Sequence, residues 1–280
     1  MHRTASLDQP RTTTHPPRDP DPAALRPLAA FTAAALPAGW ALLALPVLFD
    51  APQEPFVLVV TFLGLLLPAL LLTARRSGGA GVRALLRDAV RLPRPLWWVP
   101  LAAFALPAVV WSAAATRGAA EPLTTALLLD YLFVLVTGAL IINIWEEMVW
   151  TGFVQRRAMA RWGTVPGSLA TAVLFAGIHL PLAFHDVSTA GDVALGVTIL
   201  ISTGVGLRLL IAALDTWTAG SLLTIGILHA SFNATSDLID PSHDWMRLVA
   251  TVALGLAAVA VLLRSRRAAG HRPAAEEGVR

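Results

Sequence analysis

The sequence predicts an all-α fold: a polytopic membrane helix bundle of about eight transmembrane helices with both termini cytoplasmic. Three observations carry that prediction. Of 280 residues, 56% are hydrophobic and only 14% charged, with a mean hydropathy of +0.65, which is more apolar than a soluble domain of this length. Apolar stretches recur along the chain, each near or above the roughly 20 residues that a spanning helix needs. Arginines gather in alternate connections, the pattern left when basic residues are retained on the cytoplasmic side.

Residues 1–26, rich in Pro, Thr, Asp and Arg, read as a disordered cytoplasmic tail. They are not a signal peptide, because no short apolar core follows the first charges. The transmembrane domain occupies 27–264, with spans expected at 27–49, 56–74, 96–116, 126–155, 165–183, 193–212, 217–239 and 245–264. The fourth is long enough to tilt or to project beyond the bilayer. The sixth and seventh are separated mainly by Arg208, Asp215 and Thr216. A second cytoplasmic tail covers 265–280.

The arginines test this count. Arg75, Arg76, Arg83, Arg87, Arg91 and Arg94 follow the second stretch, Arg156, Arg157 and Arg161 the fourth, and Arg264, Arg266, Arg267, Arg272 and Arg280 the last. The opposite connections hold only Arg117 and Arg247, beside Asp50, Glu54, Glu121, Asp186, Asp192, Asp240 and Asp244. Gly78-Gly79-Ala80-Gly81 reads as a hinge, since it lacks the lysine and the strand-to-helix setting of a phosphate loop. Gly81 to Leu92 alternates arginine with Val82, Leu85, Leu86 and Val90, which fits an amphipathic helix on anionic lipid or an ordinary positive-inside loop.

Composition also excludes chemistry. Without cysteine there are no disulfides, thiolate ligands or cysteine nucleophile. All 21 basic side chains are arginine; the pI of about 10.8 follows from their place at membrane edges, so no nucleic-acid partner is expected. The lysine-free composition fits a bacterial plasma membrane.

Within the apolar stretches a few polar residues stand out. Glu146 and Glu147 sit in Trp145-Glu146-Glu147-Met148-Val149-Trp150-Thr151-Gly152-Phe153, His179 closes Phe175-Ala176-Gly177-Ile178-His179, and His229 opens His229-Ala230-Ser231-Phe232-Asn233. A charge near mid-bilayer costs at least about 2.5–3.5 kcal/mol, so such carboxylates face a protein interior or wet cavity and serve a function. At 1.5 Å per residue the three groups reach about 13, 22 and 18 Å into their spans from the cytoplasmic ends. His229 and Asn233, four apart, share a helix face. Glu146 and Glu147 point about 100° apart, so one faces a cavity and the other a neighbouring helix. Asn143 is within helical reach of either, and Phe175 would pack beside the imidazole of His179. A carboxylate beside an imidazole can hold a water and take its proton, and a donor such as Asn233 or a histidine N–H can stabilise the oxyanion of peptide hydrolysis. Singly, either histidine would serve as a helix-helix hydrogen bond; jointly with Glu146 and Asn233 they mark one site. Asp130 and Asp237 read as solvated or capping, and His185 and His243 as surface residues.

These residues resemble the CAAX protease and bacteriocin-processing (CPBP, or Abi) family of intramembrane endopeptidases, marked by a double glutamate followed by arginine, then Phe-x-x-x-His, then His-x-x-x-Asn/Asp on separate helices. They match as Glu146-Glu147, Phe175 to His179 and His229 to Asn233, within about 130–240. The resemblance implies hydrolysis of a membrane-associated peptide or protein, with Glu146 as general base, His179 positioning water, His229 and Asn233 stabilising the oxyanion, and Glu147 in support. Family members are described both as glutamate proteases and as metalloproteases, so a divalent metal such as Zn on Glu146, His179 and His229 stays open. The family's arginine position is Thr151 here; either Arg156 or Arg157 supplies that charge or the site works without it. A non-catalytic scaffold or immunity-type protein of the same fold is the alternative, and a proton-coupled transporter the next, though no repeated half-structure supports transport.

Overall fold

The computed structural model describes residues 25–270 apart from 186 and 188. Most of the expected N-terminal tail, residues 271–280 of the C-terminal tail and the outer-loop Asp186 lie outside the described residues. Eight helices follow one another: α1 (Arg26–Phe49), α2 (Glu54–Ala89), α3 (Trp98–Ala115), α4 (Thr125–Trp162), α5 (Thr164–Ile178), α6 (Ala190–Trp217), α7 (Leu222–Ala234) and α8 (Trp245–Gly270). Among the described residues the only extended pairing is an isolated antiparallel bridge from Ala120 to Ile239.

One helix therefore forms at each of the eight apolar stretches, and six are long and apolar enough to cross a membrane: α1, α2, α3, α4, α6 and α8 with the turn before it. The two exceptions, α5 and α7, have 15 and 13 residues. α5 stops at Ile178 because Pro181 removes a backbone donor and disfavours helix at the residue before it, so the chain tightens into a 3-10 turn, Leu180–Phe184. The seventh stretch starts late for a related reason. α6 runs on to Trp217, Ala219 and Gly220 adopt positive φ of 51° and 85°, and Ser221 then caps α7 by accepting from the Thr224 amide.

α2 and α4 are not uniform α-helices. Wide π turns occupy Val60–Leu66 in α2 and both Ala139–Asn143 and Met148–Gln155 in α4. Such turns alter which side chains face a given neighbour and recur at functional sites. α2 also breaks at Gly78, whose φ of 62° and ψ of −166° make it the expected hinge. Beyond it a helix continues to Ala89, burying Leu85 and Ala89 while Arg83 and Arg87 stay exposed.

Small residues bring the central helices together. A Cβ on Gly226 of α7 would lie 2.8 Å from the Ile144 Cα and 3.0 Å from its nitrogen in α4. A Cβ on Gly206 of α6 would lie 2.8 Å from the Val252 Cα in α8. Only a missing side chain permits such approach between membrane helices. Gly226 precedes His229 by three residues and Gly206 precedes Arg208 by two, so the contacts fix the depth of both. Around them packs a core that includes Phe31, Trp150 and Phe153, with Phe31 edge-on to Trp150 at 6.1 Å.

Candidate active site

The adjacent glutamates face different surroundings, as a 100° rotation requires. Glu146 lines a cavity of about 710 Å³ and is 5% exposed; Thr61, on the π turn of α2, donates to its Oε1 at 3.2 Å. Glu147 is fully buried. Its Oε2 accepts from Thr151 at 2.5 Å and from Nη1 of Arg208 at 3.0 Å, and its Oε1 from Nη2 of Arg208 at 2.5 Å and from Nδ1 of His229 at 2.8 Å. This bidentate pair is the strongest geometry available to a carboxylate.

His229 is thereby oriented. Its Nδ1 points at Glu147, and its ring lines the cavity that Glu146 also lines. His179 is set by local helix chemistry. Where α5 tightens, the His179 amide bonds to the Ala176 carbonyl, and the Phe175 carbonyl, left without its usual partner, accepts from the imidazole Nδ1 at 2.7 Å. A carbonyl only accepts, so Nδ1 carries the proton and Nε2 is left as an acceptor. Phe175 stands between the two rings, with centroids 5.0 Å from His179 and 5.7 Å from His229. The Arg208 guanidinium lies 4.5 Å over its face.

Glu146, His179, His229 and Asn233 therefore line one cavity, together with Phe175 and Asn143. Asn233 is exposed, one turn beyond His229. Asn143 lines the cavity wall, while the side-chain bonds to the two carboxylates come from Thr61, Thr151, His229 and Arg208. Among the described residues no group of three or more His, Asp or Glu side chains is close enough to hold a metal ion.

Neither arginine expected to replace the missing motif charge does so. Arg156 binds Asp88 at 2.8 Å, Asp215 at 2.8 Å and the Gly220 carbonyl at 3.0 Å. With Arg91, which bonds Asp88 at 2.5 Å and the Ala219 carbonyl at 2.7 Å, it ties the ends of α2 and α4 to the α6–α7 turn. Arg157 donates to the Phe153 carbonyl at 2.6 Å. The charge comes instead from Arg208 in α6, which sequence spacing had presented as a break between two spans. Its signal was legible: a single arginine in Gly204–Leu214, with no acid in that apolar run, needs a partner inside the protein.

Residues 127–235 match the family model described as type II CAAX prenyl endopeptidase Rce1-like. A comparison with curated proteins gives no match. The matched segment begins in α4 and ends just beyond α7, so it holds all three motifs and Arg208. Six apolar helices of spanning length and this match describe an integral membrane protein. Through residues 127–235 the chain is similar to the CAAX protease and bacteriocin-processing family, a family of proteases.

Proposed function

We propose that the chain is an intramembrane endopeptidase that hydrolyses a peptide bond of a membrane-associated protein or peptide by direct attack of water. The observation that carries this reading is the division of labour between the two glutamates: Glu147 is consumed by Arg208, Thr151 and His229, which leaves Glu146 on the cavity with both imidazoles. Glu146 takes a proton from water while Nε2 of His179 accepts the other hydrogen and holds the water in place. The water oxygen adds to the carbonyl carbon. His229, held through Nδ1 by Glu147, and Asn233 stand beside the developing oxyanion and stabilise it, the Asn233 amide by donating to it. Collapse breaks the C–N bond, and Glu146 returns its proton to the leaving amine.

Arg208 also bears on the alternative of an inactive scaffold. That alternative rested on Thr151, and a guanidinium from α6 restores a cation beside Glu147 while Thr151 donates to the same carboxylate. We place the protein in a bacterial plasma membrane with both termini cytoplasmic, on the arginine distribution.

The test compares wild type with Glu146→Gln and His229→Ala on a membrane-peptide library, with and without a chelator, reading products by mass spectrometry. Cleavage by wild type that survives the chelator and is lost in both variants is expected. Loss of a general base costs about 10²–10⁴ in rate and loss of an oxyanion donor about 10²–10³. Chelator-sensitive cleavage would overturn the metal-free water, and equal cleavage by all three proteins would overturn the site.

A further inference from the structure

The cavity reaches only one end of the bundle. Each helix that lines it contributes from the same side: Val134 to Glu146 from the start to the middle of α4, Gly196 to Thr203 from the first half of α6, His229 to Asn233 from the last turns of α7, and Asp244 to Leu248 from the start of α8 and the residue before it. Its rim is exposed at Asn233, Pro241, Ser242 and Trp245. Beyond Glu146, towards Trp162, the same helix is packed shut by Met148, Val149, Trp150, Phe153 and Val154, each at most 1% exposed.

The arginines lie at the other end. The C-terminal ends of α2, α4 and α8 carry Arg83, Arg87, Arg157, Arg161, Arg264 and Arg266 among others, whereas the connections at the cavity end carry Arg117 and Arg247 against Asp50, Glu54, Glu121, Asp237, Asp240 and Asp244. Basic residues in short connections remain cytoplasmic. Charge and cavity position are independent features of the chain, and together they assign a side.

We propose that the chamber opens to the non-cytoplasmic face and that its substrate is a peptide segment presented from that face, as in an exported or membrane-anchored chain, rather than a cytoplasmic tail. The substrate class rests on the protease reading above; the direction of opening does not.

The chain has no cysteine, so a single introduced thiol is the only one a reagent can find. Ser242→Cys marks the rim, Thr203→Cys the chamber wall and Ser265→Cys the arginine-rich end, with Asp240→Cys and Ile199→Cys as second rim and wall positions should the first not express. Each full-length variant is treated with a small membrane-impermeant thiosulfonate in right-side-out and in inverted membrane vesicles. Rim and wall thiols are expected to react in right-side-out vesicles and to lose that reaction in inverted ones, with Ser265→Cys doing the reverse. Reaction of the wall thiol in inverted vesicles only, or in neither, overturns the proposal, as does reaction of Ser265→Cys from the outside. Labelling needs no turnover, so an outward chamber without cleavage would count against the protease reading alone.

Discussion

An arginine sealed at 0% exposure against a carboxylate sealed at 0% exposure makes the residue scale the place where stability and activity separate. Removing one partner strands a charge, which costs about 3–5 kcal/mol, whereas replacing both with apolar residues of similar size is often neutral. Arg208→Met is therefore expected to lower thermal stability in detergent by about that amount and to abolish cleavage. Glu147→Leu with Arg208→Met is expected to recover most of the stability and none of the activity, because His229 then has no acceptor at Nδ1. Thr151→Arg combined with Arg208→Met returns a guanidinium to Glu147 from one turn along its own helix and is expected to regain cleavage over Arg208→Met alone. No gain from that exchange, measured as kcat/KM, would show that Arg208 does more than position Glu147 and His229.

At the scale of elements, the hydrophobic pattern and arginine spacing made the eight helices legible, and the three motifs made Glu146, Glu147, Phe175, His179, His229 and Asn233 legible as cavity and cluster residues. What stayed hidden has physical causes. Apolar periodicity does not separate a π turn from an α turn, so the wide turns that carry Thr61, Asn143 and Thr151 leave no mark in the sequence. Hydropathy does not fix where a helix stops, so the ends of α5 and α7 were decided by Pro181 and by the left-handed Ala219-Gly220 pair. Which helix a lone intramembrane arginine pairs with is not written in the sequence, which is why Arg156, Arg157 or no charge at all was expected where Arg208 stands. The helix contacts give a graded prediction. Gly226→Ala drives a methyl into the backbone of Ile144 and must part α7 from α4, whereas Gly152→Ala meets side-chain ends, Leu85 at 2.6 Å and Leu222 at 3.1 Å, that can rotate away. Gly226→Ala is expected to cost about 1–3 kcal/mol and to reduce cleavage sharply through His229, with Gly152→Ala milder on both counts. Equal effects on unfolding and rate would contradict the assigned role of the α4–α7 approach.

The whole molecule is a bundle whose arginine-rich end is closed and whose opposite end holds the cavity. Its orientation has a direct readout: a fluorescent protein fused after Arg280 is expected to fold and fluoresce, and a periplasm-dependent phosphatase at the same place to stay inactive. The opposite pair of results would reverse the bundle in the membrane. In the proposed mechanism one carboxylate, Glu146, activates water in a cavity built by its neighbours, and Glu147 is an anchor. The most direct measurement reconstitutes wild type, Glu146→Gln and Glu147→Gln with a cleavable membrane peptide in heavy-oxygen water, following both isotope in the new C-terminus and thermal unfolding. Heavy oxygen incorporated by wild type, none by Glu146→Gln at unchanged stability, and joint loss of turnover and stability in Glu147→Gln is the predicted result. Undiminished cleavage by Glu146→Gln would contradict it.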